Sequence, residues 1–251
     1  MDRRVDLIRE FYQALPMGGA KVETRRHGFA YLDELLRGGV ALEYGELTLS
    51  GLLHKYKISG IPPGRMAELL EQHVAGECNV CLYFDGSANA IFCFNLDNNR
   101  KAANTALIPE MEAAVEDLRG FLESYGFSPL VLASGRGFHL WCRLAGPVEN
   151  GRLHGLMIRL AAKTAARLQN RGLDHNLVKM NLYPDRRTSH VVSLRLFGSV
   201  HSKNGVFSRV LTRAGLLDEA SSWAAFEEQL GKGATGLELF ESAYARLSAE
   251  F

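Results

Sequence analysis

The segment Pro129-Leu-Val-Leu-Ala-Ser134-Gly-Arg-Gly-Phe-His139-Leu-Trp-Cys-Arg-Leu144 decides how the chain is built. Two apolar runs flank a short stretch with two glycines, which reads as a strand pair on a tight connection at Ser134–Gly137. Upstream, residues 106–125 carry Met111, Val115, Leu118, Leu122 and Tyr125 on one helical stripe, with Gly126 as the stop. Before that helix, Val80–Phe84 and Ala90–Leu96 read as another strand pair around Asp85-Gly86-Ser87. Downstream come a helix at about 150–170 ending at Gly172, a loop-and-strand stretch over 173–212, and helices near 220–230 and 237–248. Two further helices, 3–15 and 63–75, flank an irregular glycine-rich stretch, the second opening on Pro62-Pro63 as a first turn does. The order strand pair, helix, strand pair, helix, strand predicts an α/β fold with a small mixed sheet, its covered face packed with helices. We read 1–251 as one unit with an N-terminal α/β subregion (1–79), a core (80–215) and C-terminal helices (216–251).

A chain of 251 residues that is 47% hydrophobic and 23% charged is globular rather than disordered. Its longest apolar runs stay below about ten residues and MDRRVDLIREFY is charged, which predicts no membrane span, no signal peptide and a cytoplasmic location. Cys78-x-x-Cys81 lacks a second ligand pair, so core thiols are expected and zinc is not. The net charge of +1 hides an asymmetry. Residues 151–213 hold twelve Lys/Arg against Asp174 and Asp185 alone, a local charge of +10 that points to a polyanionic partner or, alternatively, to a solvated basic face.

Three segments bear chemistry. In Phe92-Cys-Phe-Asn95-Leu-Asp97, Asn95 and Asp97 share one strand face because side chains repeat every second residue. Such a pair serves either a divalent ion or a turn ahead of Asn98-Asn99. In Ser134-Gly-Arg136-Gly-Phe-His139 the glycines let backbone approach a phosphate while a hydroxyl, a guanidinium and an imidazole converge. An ordinary glycine turn before a partly buried histidine would read the same way, and the absence of Gly-Lys-Ser/Thr excludes a P-loop. In Arg195-Leu-Phe-Gly-Ser199-Val-His201-Ser-Lys203 the polar residues fall at even spacing, as on one face for a triphosphate or on a solvated edge strand.

In this order the three segments resemble the archaeo-eukaryotic primase superfamily, which holds the primase small catalytic subunits and the primase-polymerases. Asn95-Leu-Asp97 stands where that family has Asp-x-Asp. Ser134 to His139 resembles its second motif, and Leu173-Asp174 resembles its third, followed by a Ser-x-His-x-Lys that Ser199, His201 and Lys203 reproduce. The resemblance implies a primase-polymerase catalytic fold with an RRM-like sheet. It implies a DNA primase/polymerase-type nucleotidyltransferase using two Mg²⁺ or Mn²⁺ ions held by Asp97, Asp174 and Asn95. Ser134, Arg136, His139, Arg195, Ser199, His201 and Lys203 would then bind the NTP or dNTP. DNA template and primer would be partners, with a helicase or an accessory replication or repair subunit beside them, and no membrane.

Three departures qualify the resemblance. A single helix replaces the zinc-binding insertion between the first two motifs, as in a minimal, zinc-free type. Extra residues at Tyr183–Val191 bring Arg186 and Arg187, expected to meet nucleic-acid phosphates. Asn95 itself lacks the negative charge that offsets divalent ions. It fits a tolerant natural variant, an inactive nucleotide- and nucleic-acid-binding relative, or a residue changed to trap a complex. A phosphoesterase is the less favoured reading, since phosphate-binding side chains outnumber carboxylates.

Overall fold

The computed structural model describes residues 2–12, 19–24, 37, 41–47, 54–59, 61–84, 87–99, 107–185, 193–201 and 205–251. Its N-terminal elements are α1 (Arg3–Phe11), β1 (Gly19–Thr24), β2 (Ala41–Leu47), β3 (His54–Ser59), α2 (Pro63–Val74) and β4 (Cys78–Tyr83). There follow β5 (Ala88–Asn98), α3 (Pro109–Ser124), β6 (Leu130–Ala133), β7 (Gly137–Glu149), α4 (Asn150–Asn170), a 3₁₀ turn (His175–Leu177) and β8 (Val178–Tyr183). The chain ends with β9 (Ser193–Arg195), β10 (Arg209–Thr212), β11 (Gly215–Leu216), α5 (Glu219–Gly231) and α6 (Leu237–Ala249). These elements gather into two compact units, Met1–Asp85 with Ser189–Ser208, and Gly86–Thr188 with Arg209–Phe251.

In the first unit five strands form a sheet in the order β2-β3-β1-β4-β9. Asp2 starts α1 by accepting the Arg4 amide at 2.9 Å, and Val5, Ile8 and Phe11 bury one helical face. Proline in the first turn opens α2, which turns Leu69, Leu70 and His73 inward. β4 does not form the expected hairpin with β5. It pairs with β1 and β9, while β5 pairs with β7 and β8, so both edges of each strand are filled within its own sheet.

The second unit is a six-stranded sheet in the order β11-β10-β6-β7-β5-β8. The β6–β7 hairpin forms as read, in register from Leu130 with Trp141 to Ala133 with Phe138. Every ladder between these strands is antiparallel. The mixed character of the expected sheet shrinks to one parallel bridge, Leu144 with Thr235. The cause is that α3 and α4 each return the chain past one strand position, and the skipped place is taken by an antiparallel strand.

α3, α4 and α6 cover one face of this sheet. Met111, Val115, Leu118 and Leu122 of α3, Leu153, Leu156 and Leu160 of α4, and Phe240 and Leu247 of α6 meet Phe92, Phe94, Leu96, Phe138 and Leu140 of the strands. Withdrawing each such side chain from water is worth roughly 1.5–3 kcal/mol, which fixes which strand face turns inward. Because Phe94 and Leu96 are committed to this core, Asn95 and Asp97 project from the opposite face.

Candidate active site

The polar face of the second unit is assembled by register. Asn95 lies directly across from His139 of β7 on one side and Asn181 of β8 on the other; Asp97 lies between Gly137 and Lys179. Residues opposed in an antiparallel pair share a face with Cβ atoms about 5 Å apart, so Asn95, Asp97, His139 and Asn181 form one patch. Asn95 and Asp97 are partly exposed, whereas His139 is buried with its ring edge-on to Trp141 at 6.1 Å.

The Asp97 carboxylate is held by neutral donors. One oxygen accepts from the Asn95 amide at 3.1 Å and faces the Asn181 amide at 3.5 Å. Among the described residues no Lys, Arg or His forms an ion pair with it, although Lys179 stands opposite in register. Tyr183, next along β8 on this face, interacts with the Asn95 side chain; burial, and then Cys93 and Asp97 nearby, push its hydroxyl up to about 12, so it stays protonated at neutral pH. Sequence reasoning passed over Asn181 and Tyr183, yet their signal was present. In Val178–Tyr183 the even positions Val178, Met180 and Leu182 pack on the core while Lys179, Asn181 and Tyr183 alternate with them.

The Ser134–Gly137 connection closes with the Ser134 amide donating to the Gly137 carbonyl at 2.8 Å, and Gly135 adopts φ +94°. Ser134 is buried at the end of β6, Arg136 is half-buried at the tip, and His139 lies two residues into the ladder. Asp174 is placed differently. Its exposed carboxylate caps the 3₁₀ turn, accepting from the backbone and side-chain amides of Asn176 at 3.0 Å each. Among the described residues, no three His, Cys, Asp or Glu side chains gather as a metal-holding group.

Arg195, Ser199 and His201 belong to the first unit. Arg195 ends β9 opposite Cys81. The alternation read from Arg195 through Ser199 is interrupted, because a turn at Phe197-Gly198, with Gly198 at φ +91°, separates β9 from Ser199. Ser199 and His201 are both buried on either side of Val200, which bridges Phe207. Lys203, Arg186 and Arg187 lie outside the described residues. The four cysteines are buried thiols outside any disulfide. No described helix is long and apolar enough to cross a membrane.

No protein-family model and no curated protein matches the chain. Among solved structures it is similar to the polymerase domain of Ligase D from Mycobacterium tuberculosis in complex with DNA. That likeness has 15% identity over 98% of this chain and 87% of the other, with a TM-score of 0.47. It is also similar to the AEP domain of the cyanophage S-2L primase-polymerase, at 14% identity over 91% of this chain and 98% of the other, with a TM-score of 0.41.

Proposed function

We propose that the chain is a nucleotidyltransferase of the primase-polymerase class, extending a primer on a DNA template. One observation carries the reading. The β5–β7 register sets Asn95 against His139 and Asp97 against Gly137, so the segments that resemble the family's first and second motifs meet on one sheet face. In this reading Ser134, Arg136 and His139 hold the phosphates of the incoming nucleotide, with charge and hydrogen bonds supplied from a loop whose glycines keep the backbone open to them. Within the first unit, Ser199 and His201, with Arg195 and Lys203, are read as phosphate-binding residues in their own right. In the reaction the primer 3′-oxygen, losing its proton, bonds to the α-phosphorus as the bond to the β-phosphate oxygen breaks and pyrophosphate leaves.

The donor set at Asp97 fits one Mg²⁺ or Mn²⁺: an anionic carboxylate without a cationic partner among the described residues, beside two amides whose oxygens are hard ligands when turned over. Asp97, with Asn95 and Asn181, would hold such an ion, which offsets the charge of the triphosphate and of the departing pyrophosphate. A second ion at Asp174 would require that carboxylate to give up its cap on Asn176. The amide hydrogen bond from Asn95 to Asp97 also favours a second reading, a nucleotide- and nucleic-acid-binding relative without turnover.

Nucleotide binding tests the shared part of both readings. In titrations of ATP and dATP with Mn²⁺, Arg136→Ala and His139→Ala should each weaken binding by about tenfold or more, the scale of losing a charge-assisted phosphate contact. Wild-type affinity in both variants would remove this loop from the site.

A further inference from the structure

We infer that Asn79 is a positioning residue for the Ser199–His201 segment, gripping the Val200 peptide so that the two flanking side chains are presented to a nucleotide's phosphates. The inference rests on the nucleotide-binding reading of Ser199 and His201 and deepens it. Beyond β9 the chain keeps one more bond to β4, from the Leu196 amide to the Val80 carbonyl at 3.1 Å, and then turns away at Phe197-Gly198. A buried turn leaves backbone groups that need partners. Here the partners are side chains drawn from separate elements. The Tyr12 hydroxyl, just after α1, accepts the Phe197 amide at 2.9 Å; His73 of α2 bonds the Phe197 carbonyl through Nε2 at 2.9 Å; and the Ser208 hydroxyl accepts the Gly198 amide at 3.1 Å. Because the Val80 amide donates to Nδ1 of His73 at 3.1 Å, the proton sits on Nε2 and the ring is neutral, in keeping with burial pulling its pKa down to about 4.

Asn79 completes the set at the point that matters for the site. Its Nδ2 donates to the Val200 carbonyl at 2.8 Å and its Oδ1 accepts the Val200 amide at 3.0 Å. One buried side chain thereby reproduces both bonds that an antiparallel neighbour would give. The residues on either side close on themselves instead: Ser208 to Ser199 at 2.9 Å, His201 to Val206 at 2.8 Å and Gly205 to His201 at 2.8 Å. The Val200 peptide is therefore where this loop is tied to β4. A phosphate ligand displaced by about 1 Å can lose up to a hundredfold in effect, so a clamp of this kind acts on affinity through geometry rather than contact.

The test uses the full chain, titrated with ATP and dATP, together with hydrogen exchange at the Val200 amide, which reads the clamp without nucleotide. Asn79→Ala should deprotect Val200, keep the β1–β4 amides protected, and weaken triphosphate binding by about tenfold or more. Asn79→Asp keeps the acceptor but sets a carboxylate against the Val200 carbonyl, so it should retain the amide's protection and still lose about tenfold. Wild-type affinity in Asn79→Ala with Val200 deprotected overturns the positioning role alone. Should Asn79→Ala lose the β1–β4 protection, Asn79→Asp decides, and wild-type affinity there overturns the role as well. A wild-type chain that binds neither nucleotide sinks the underlying reading and the inference with it, a failure recognisable because it appears before any substitution.

Discussion

At Gly137 a Cβ atom would lie 2.0 Å from the Leu96 carbonyl oxygen and 3.3 Å from an Asp97 carboxylate oxygen. The glycine in Arg-Gly-Phe-His is thus needed less for turn conformation than for letting β7 run close against β5 at the carboxylate. Gly137→Ala should cost on the order of 3 kcal/mol, since backbone rather than a flexible side chain must yield, and it should move Asp97 relative to His139. Gly120→Ala on α3 is the matched control: beyond its chain neighbours and the helix's own backbone no atom lies within 4 Å of the added methyl, and a helix interior gains about 0.5–1 kcal/mol from the exchange. Urea unfolding of the two variants should give shifts of opposite sign. A Gly137→Ala midpoint equal to wild type would contradict the β5–β7 register. Residue identity was legible here in part. The letters Ser134 to His139 gave the tight glycine turn, but the reason for the second glycine lies on another strand, and no local reading reaches it.

At the level of elements, α2 is fastened to β4 and to the Phe197 carbonyl through one neutral imidazole, His73. Burial lowers its pKa from 6.5 to about 4, so below pH 6.5 the unfolded chain binds a proton that the folded chain refuses. The stability given by the neutral ring is complete above about pH 6.5 and is lost as pH falls towards 4, by on the order of 3 kcal/mol. Unfolding titrations across this window should show that loss in wild type and a flatter profile in His73→Gln; equal slopes would mean the ring is not held neutral. The helices were legible because their apolar stripes recur every three to four residues, and α3 and α4 begin and end close to where those stripes do. Strand partners were less so. Val80–Phe84 and Ala90–Leu96 carry a hairpin's local signal, yet the ladders each strand makes with distant segments take precedence. Within the loop-and-strand stretch 173–212 the bounds of β8 stayed undrawn, because partly exposed apolar residues blur its alternation.

Across the whole molecule, charge along the sequence proves a poor map of charge in space. The basic stretch 151–213 meets acids from elsewhere: Arg152 pairs with Glu241, Lys163 with Glu250, Arg167 and Arg171 with Asp117, and Arg213 with Glu123. Exposed pairs of this kind contribute about 0–1 kcal/mol each, but they neutralise the α4 face as a polyanion surface. Distance along the chain misleads in the same way, since Ser189–Ser208 joins the first unit although it is flanked in sequence by the second. The β4–β9 pairing, more than a hundred residues apart, and the bonds of Tyr12, His73 and Asn79 to the Phe197–Val200 backbone hold it there. In the proposed function, Asp97 and the Ser134–His139 loop form a nucleotidyltransferase site, with Asn95 setting its activity. Template-dependent incorporation of labelled nucleotides onto a primer, measured with Mg²⁺ and with Mn²⁺ for wild type, Asn95→Asp, and Asn95→Asp combined with Asp97→Ala, tests it most directly. Incorporation should rise in Asn95→Asp and vanish when Asp97 is removed. No incorporation by wild type or by Asn95→Asp, with either ion, would contradict it.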